Sequence, residues 1–262
     1  MIEKIEQPLE TKEDATAPNR LSMLTYNIHK GYSITNNRFI LHLIRNAVEE
    51  IHPDLVFLQE IQGQYRLQQC DSVHRTDEPQ FEFLADRLWP HYAYGKNAIY
   101  NIGHHGNAIL SKYPFSDYEN INVALSRFAS RSILHGIISE PFSTPLHVIC
   151  IHLGLFEIER EQQLMTLAKR IETCVPAHEP VIIAGDFNDW RGRAARYLNF
   201  DEVFKHLEGR YAKTYPVWRP ALRMDRIYFK DIIPIKCERF SGRPWRRLSD
   251  HTPLYAEFAW PT

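Results

Sequence analysis

A few short segments of the chain carry residue types that could bind a cation and move protons. They are Asn27 with His29 just beyond it, Leu58-Gln59-Glu60, His152, Gly185-Asp186-Phe187-Asn188, Asp225, and Ser249-Asp250-His251. Glu60, Asp186 and Asp250 supply carboxylates, and Asn27 and Asn188 supply neutral oxygens. Such a set suits a hard divalent cation, because Mg2+ takes oxygen ligands and typically one or two carboxylates plus water and phosphate. The imidazoles of His152 and His251 can move protons or carry charge near neutral pH. Taken singly, each segment has a blander explanation. An Asp-His pair before a strand is usually a capping or surface feature. A lone strand-end histidine is usually satisfied locally, and a lone loop glutamate is usually solvated. Gly-Asp-Phe-Asn after an apolar run is the most specific piece.

These residues need elements to position them, and apolar runs lead into nearly all of them. Leu21 to Tyr26 reads as a strand ending at Asn27, and Leu55 to Leu58 as a short buried strand ending at Gln59-Glu60. Leu146 to Ile151 is a strand that ends at His152. Val181 to Ala184 is a strand that runs into Gly185-Asp186. Leu254, Ala256, Phe258 and Trp260 alternate as a closing half-buried strand should, directly after Asp250-His251. Ala108 to Leu110, Ile133 to Ile138 and Ile227 to Phe229 add further strands. Ile40, Leu43, Ile44, Ala47, Val48 and Ile51 recur at helical spacing, and His52-Pro53-Asp54 stops that helix. A second helix is expected from Glu157 to Val175, with Leu164, Ala168, Ile171 and Val175 on its inward face. Loops at strand ends carry function because a rigid scaffold positions them, and here polar residues end strand after strand. Many short strands with few helices suggest two packed sheets flanked by helices, although the pattern alone does not separate that from a doubly wound sheet.

Composition narrows the class. The chain has 262 residues, 44% hydrophobic and 24% charged, which is ordinary for a globular protein. Lys plus Arg is 31 and Asp plus Glu is 32, a net charge of -1. That balance argues only weakly against a nucleic-acid substrate, since a metal and a local basic patch can replace net charge. No apolar run approaches the ~20 residues of a membrane span. Residues 1–18 read as a polar, disordered leader and 19–262 as a single catalytic domain. Cys70, Cys150, Cys174 and Cys237 lie too far apart for a paired metal knuckle, and their density is far below that of a disulfide scaffold. A monomer in a reducing cytoplasm is the expectation.

The ordered set Asn27, Leu58-Gln59-Glu60, His152-Leu153, Gly185-Asp186-Phe187-Asn188, Asp225 and Ser249-Asp250-His251 resembles the endonuclease/exonuclease/phosphatase superfamily, the DNase I-like hydrolases. Gly106 to Pro114 and Arg223 to Tyr228 fit the same resemblance, which covers nearly the whole chain after the leader. The strings Asn27-Ile28-His29-Lys30-Gly31 and Asp186 to Arg191 resemble small bacterial metal-dependent hydrolases of that family. The resemblance implies an α+β fold, a four-layer αββα sandwich of two packed, mostly antiparallel sheets with the site at one edge. It implies one or two Mg2+ or Mn2+ ions on Asn27, Glu60 and Asp250. It implies that Asp186 orients or deprotonates the attacking water and that Asn188 donates to a phosphate oxygen. His251 contacts the scissile phosphate, held in one tautomer by Asp225, and His152 stabilises the transition state or assists the leaving group. Arg131, His105, Asn107 and Trp190 are candidate substrate contacts, each with a structural alternative. The implied reaction is phosphodiester hydrolysis of nucleic acid or a phospholipid head group. An inositol-phosphate monoesterase and a catalytically dead binding module are the alternatives. Arginines 191, 193 and 196 and arginines 239, 243, 246 and 247 could form a basic rim, and Tyr215 to Trp218 an apolar loop.

Overall fold

The apolar runs are continuous because most strands are buried on both faces. In β1 (Arg20–Asn27), Leu21 and Met23 pack on one side and Leu24 and Tyr26 on the other. In β2 (Leu55–Tyr65), Leu55 and Phe57 oppose Val56 and Leu58 in the same way. In β8 (Val181–Asp186), Ile182 and Ala184 oppose Val181 and Ile183. These alternations sort the buried side chains into three apolar layers, and three interior layers require four layers of secondary structure.

The computed structural model describes residues 20–35, 38–65, 79–85, 88–100, 103–125 and 131–260. The expected leader and Cys70 lie outside these residues. Helix α1 (Leu41–Ile51) follows β1 and ends at His52 in the left-handed region, one residue before Pro53. After β2 come α2 (Gln80–Ala85), β3 (His91–Tyr100), β4 (Gly103–Ser111), β5 (Asp117–Asn122), β6 (Ser132–Ile138) and β7 (Leu146–His152). Then α3 (Glu157–Cys174) leads to β8, β9 (Asp201–Glu202), α4 (Val203–Glu208), β10 (Asp225–Lys230), β11 (Ile233–Arg239) and β12 (Leu254–Ala259). One six-stranded sheet has the order β11-β12-β1-β2-β4-β3 and the other β5-β6-β7-β8-β10-β9. Among the described residues, only β1–β2 and β7–β8 pair in parallel. The central core lies between the sheets, α1 and α2 cover the outer face of the first, and α3 covers the outer face of the second. This is the α+β four-layer sandwich expected.

Three differences from the sequence reading have physical causes. β3, β5 and β11 are edge strands, and the last two are largely exposed; they carry little apolar periodicity to read. β2 does not stop at Gln59-Glu60 but runs on to Tyr65, past a register shift between Leu58 and Ile61. The face that α3 buries is Arg160, Gln163, Leu164 and Leu167, so Leu167 takes the place expected for Ala168. Arg160 and Gln163 are polar yet buried because they bond the loop before the helix: Arg160 Nη1 donates to Gly154 O, and Gly154 N donates to Gln163 Oε1.

Gly185 sits at φ +144°, and a Cβ there would lie 2.0 Å from Ile151 O on the neighbouring strand. Gly185→Ala should therefore lower stability by roughly 2–4 kcal/mol, since the strain is backbone against backbone. A urea unfolding curve checks this; an unchanged midpoint would show that β7 and β8 can part without loss.

Candidate active site

Strand parity aims the polar residues at one place. Successive side chains alternate faces, so the inward series Leu21, Met23, Thr25 of β1 continues to Asn27. In the same way β2 delivers Gln59, β7 delivers His152 after Cys150, β8 delivers Asp186 after Ala184, and β10 starts at Asp225 before Ile227. The register lines these up. Asn27 lies opposite Gln59 in the first sheet, and His152, Asp186 and Asp225 stand side by side in the second. All are buried, so the rows form the polar end of the apolar core between the sheets.

Asp186 is the hub. Its Oδ1 accepts from Asn188 N at 2.9 Å, with Asn188 at φ +49°. Its Oδ2 accepts from Asn27 Nδ2 at 3.2 Å, a bond that crosses from one sheet to the other. His152 Nε2 lies 3.5 Å and His251 Nε2 3.8 Å from the same Oδ2. Asn188 Nδ2 donates to Leu153 O at 2.9 Å, which fastens the turn after β8 to the end of β7. His251 Nδ1 lies 2.8 Å from Asp225 Oδ2, the hydrogen bond expected from the sequence. His251 itself precedes β12, and Ser249 Oγ fixes that approach by donating to Asn27 O at 2.6 Å and accepting from His251 N at 3.2 Å. Tyr215 packs its ring 5.0 Å from that of His251.

Glu60 depends on an irregularity. It follows the inward-facing Gln59, so regular pleating would turn it outward. Instead it adopts φ +60° in the register shift of β2, and a bulge of this kind re-aims a side chain. Gln59 stays inward, with Nε2 3.2 Å from Thr25 Oγ1 and 3.3 Å from Cys150 Sγ across the interface. Glu60 is half-buried and close enough to His105 to favour its charged form. Asp250 is also half-buried, with Oδ1 3.5 Å from His29 Nδ1. Asn27 Oδ1 accepts from His29 N at 3.1 Å. Asn27, Glu60 and Asp250 thus lie around the end of β1, with hard oxygen donors.

Charge is divided unevenly among the imidazoles. Burial acts to lower the pKa of His251, but the Asp225 and Asp186 carboxylates more than offset it and raise it to about 10. His152 moves the other way, well down, through burial and then the positive charges of Arg131 and His251. Burial also lowers His105, to about 4, against the opposing pull of Glu60. The Asp186 carboxyl is raised by burial, with His251 opposing. Near neutral pH, His251 is therefore a cation while His152 and His105 are neutral rings.

The remaining candidates divide. Arg131 donates from Nε to Leu153 O at 3.1 Å and its charge acts on His152 and His105, so it borders the cluster. Trp190 is 42% exposed two residues after Asn188, with Arg160 over its ring. Asn107 is fully buried, and its Nδ2 donates to Ser132 O at 3.0 Å, tying β4 to β6. Its Oδ1 is buried without a partner. Of the expected basic rim, Arg191 and Arg193 are both paired with Glu157. Arg246 donates to Trp218 O, and Val217 N donates to Asp250 O, so the Tyr215-to-Trp218 loop adjoins the site. Two contributors went unread in the sequence. Lys30 acts on His105 and His152, and Arg226, fully buried, pairs with Asp189 at 3.0 Å behind Asn188. Asp189 and Arg226 both stand inside the quoted motif strings, but nothing in their types reveals that they meet.

Fold and site together define a sandwich hydrolase with its polar cluster at one edge of two packed sheets. The sequence profile of the Endonuclease/Exonuclease/phosphatase family matches residues 24–251, and the chain belongs to that family of hydrolases acting on phosphoesters. It is 44% identical over 249 residues to uncharacterized protein YbhP of Escherichia coli K12, covering 93% of this chain and 98% of that one. Its fold is similar to the endonuclease/exonuclease/phosphatase of Beutenbergia cavernae, with TM-score 0.76, 16% identity, and 93% and 72% coverage of the two chains. It is also similar to TDP2 of D. rerio complexed with single strand DNA product, with TM-score 0.65, 20% identity, and 92% and 99% coverage.

The sign of the His251 shift gives a test. Its folded-state pKa lies above the ordinary value near 6.5, so the pairing stabilises fully below about pH 6.5 and is lost as pH rises through about 10. Asp225→Asn should thus lower the urea midpoint, in the presence of chelator, more at pH 6 than at pH 10. An equal loss at both pH values would mean that His251 is not held charged.

Proposed function

We propose that the protein is a divalent-metal-dependent phosphodiesterase. The observation that carries this is the single Asp186 carboxylate oxygen approached by Asn27, His152 and His251, beside the oxygen donors Asn27, Glu60 and Asp250. Asp186, Asp225 and His251 also bring ligand-type atoms within 4.8 Å of one another. We read that trio as proton and charge machinery, because His251 and Asp225 already share a hydrogen bond. The donor set Asn27, Glu60 and Asp250 fits a hard cation better: its donors are all oxygens, two of them on half-buried carboxylates. A Mg2+ or Mn2+ ion held there would neutralise charge on the phosphate and on the departing oxygen.

The chain's own groups divide the rest. Asp186, its carboxyl raised by burial, is suited to take a proton from water near neutral pH. The water oxygen then bonds to phosphorus as the ester P–O bond breaks. His251, charged and fixed by Asp225, holds a phosphate oxygen, which favours the more highly charged transition state. His152 stays neutral and donates a hydrogen bond without adding charge. Asn188 and Arg131 complete the phosphate contacts. Exposed Trp190 and Trp218 flank the site and suit stacking of bases, which supports a nucleic-acid diester, as does the DNA strand in the TDP2 structure. Exposed Leu155 and Phe156, just past His152, favour a phospholipid head group as the second reading. Residues 19–262 act as one domain and as a monomer. Free Cys150 and Cys174 suit a reducing compartment, and among the described residues no helix is long and apolar enough to cross a membrane.

Glu60→Gln keeps shape and removes charge. It should weaken Mn2+ binding in calorimetry and lower bis(p-nitrophenyl) phosphate turnover by roughly a hundredfold or more, with melting nearly unchanged. Unaltered Mn2+ affinity would sink the ligand assignment. A panel of plasmid DNA, RNA, phospholipid vesicles and inositol phosphates, run with Mg2+ and with Mn2+, then chooses the substrate.

A further inference from the structure

A cavity of about 560 Å3 opens at the end of the apolar layer beneath α1. Its floor is Ile34 from the loop before α1, Ile40 and Leu43 from the start of the helix, and Leu248 from the chain just before Ser249. Ile40 and Leu248 are buried, whereas Leu43 is 44% exposed. One open leucine on a surface is ordinary, but four aliphatic side chains around a hollow of this size make the lining of a ligand pocket.

The walls are fixed before anything binds. Ser33 N donates to Arg38 O at 2.9 Å and Arg38 N to Ser33 Oγ at 3.3 Å, which closes the loop. Ile40 N donates to Gly31 O at 2.9 Å, and the rings of Tyr32 and Phe39 meet edge-on at 5.5 Å. Opposite stands the short helical turn Trp245–Arg247. Arg246 N donates there to Gly242 O at 2.8 Å, and Arg246 Nη2 to Trp218 O at 3.3 Å. A pocket held in this way pays little ordering entropy when it is filled.

Its mouth carries charge of one sign. Arg38, Arg246 and Arg247 line the cavity and are exposed. An arginine beside an apolar hollow lays its stem along the wall and keeps its head in water. No carboxylate lines the cavity, and among the described residues none of the three arginines pairs with one. Other arginines of the chain do pair: Arg170 with Glu119 at 2.7 Å, Arg226 with Asp189 at 3.0 Å and Arg45 with Glu49 at 3.7 Å. The chain as a whole is balanced, with 31 basic residues against 32 acidic ones. An apolar floor under three guanidinium groups without counter-charge complements one kind of molecule, an apolar chain that ends in an acidic group. A sugar phosphate would leave the floor bare, a neutral chain would leave the rim unused, and a cationic amphiphile would be repelled.

We propose that this cavity binds a single-chain amphiphile, its acyl or alkyl chain on the aliphatic floor and its acidic head, a phosphate or a carboxylate, on Arg38, Arg246 and Arg247. The site is separate from the Asp186 cluster and stands whichever diester is hydrolysed there. It adjoins that cluster through the chain, since Leu248 precedes Ser249, whose Oγ donates to Asn27 O.

Calorimetry on the full chain tests this, with chelator present and each probe kept below its micelle-forming concentration. The probes are dodecyl phosphate, dodecanoate, butyl phosphate and dodecyltrimethylammonium. At least one of the two long-chain anions should bind about tenfold or more tightly than butyl phosphate and than the ammonium. Tighter binding of dodecyl phosphate assigns a phosphate head, and tighter binding of dodecanoate a carboxylate head. Leu43→Gln, at an open position on α1, should weaken the long-chain anion about tenfold and leave butyl phosphate unchanged. The double variant Arg38→Gln, Arg247→Gln should bring anionic and cationic amphiphiles to within about threefold of each other. Both variants should melt close to the wild type. Butyl phosphate binding as tightly as the long-chain anions would reduce the site to a plain anion contact and overturn the inference. Equal binding of the ammonium would reduce it to general apolar adhesion and overturn it too. So would an affinity that Leu43→Gln leaves unchanged, or no binding of either long-chain anion.

Discussion

The hydrogen bond from Asn27 to Asp186 joins the two halves of the site, as the His251–Asp225 bond does. Asn27 ends the central strand of the first sheet and donates to Asp186 at the end of the central strand of the second. It lies at the polar end of the interface, beside the cross-sheet bonds of Gln59 to Cys150 and Asn107 to Ser132, where an unpaired carboxylate would be costly. Asp186 is buried and can stay so only while its two oxygens are occupied, one by Asn188 N and the other by Asn27 with two imidazoles nearby. The packing of the sandwich therefore fixes the positions of those imidazoles. The residues that seat the hub are also the candidate site residues, so the fold and the cluster share one set of contacts.

Burial then sorts groups of the same type into different roles. His152 and His251 approach the same carboxylate oxygen, yet His152 is held neutral and His251 charged. The difference is Asp225, which touches only His251. The buried ion pair of Arg226 and Asp189 lies one residue further along each strand-and-turn and braces the Asn188 turn from behind. That pair stabilises little by itself after desolvation. Its fork of donors instead reaches Asp189 Oδ2, Asp189 O and Arg223 O together, which fixes the path of the chain just after the catalytic candidates.

Much of this was legible in the sequence. Central strands announced themselves because both faces are apolar, and the polar residues that end Leu146–His152 and Val181–Asp186 stood out against those runs. Edge strands such as Asp117–Asn122 carried no such contrast, so they stayed unread. Glu60 was identified as a ligand candidate, but its bulge was not, since a register shift belongs to the pairing of two strands and not to one. Asn107 ties β4 to β6 through its Nδ2, a contact between strands that no residue type declares. The left-handed backbone of Lys30 is a property of the turn that no residue type there declares.

The account stands on Asp186 as the buried carboxylate that serves both the fold and the reaction. Asp186→Asn keeps one oxygen, which can accept from Asn188 N or from Asn27 but not from both, and it cannot take a proton from water. The direct measurement is single-turnover hydrolysis of bis(p-nitrophenyl) phosphate with Mn2+, alongside Mn2+ calorimetry. The account predicts a rate lower by about a thousandfold, with Mn2+ affinity close to that of the wild type and a melting temperature lowered by the acceptor that is lost. A variant that turns over at the wild-type rate would contradict it.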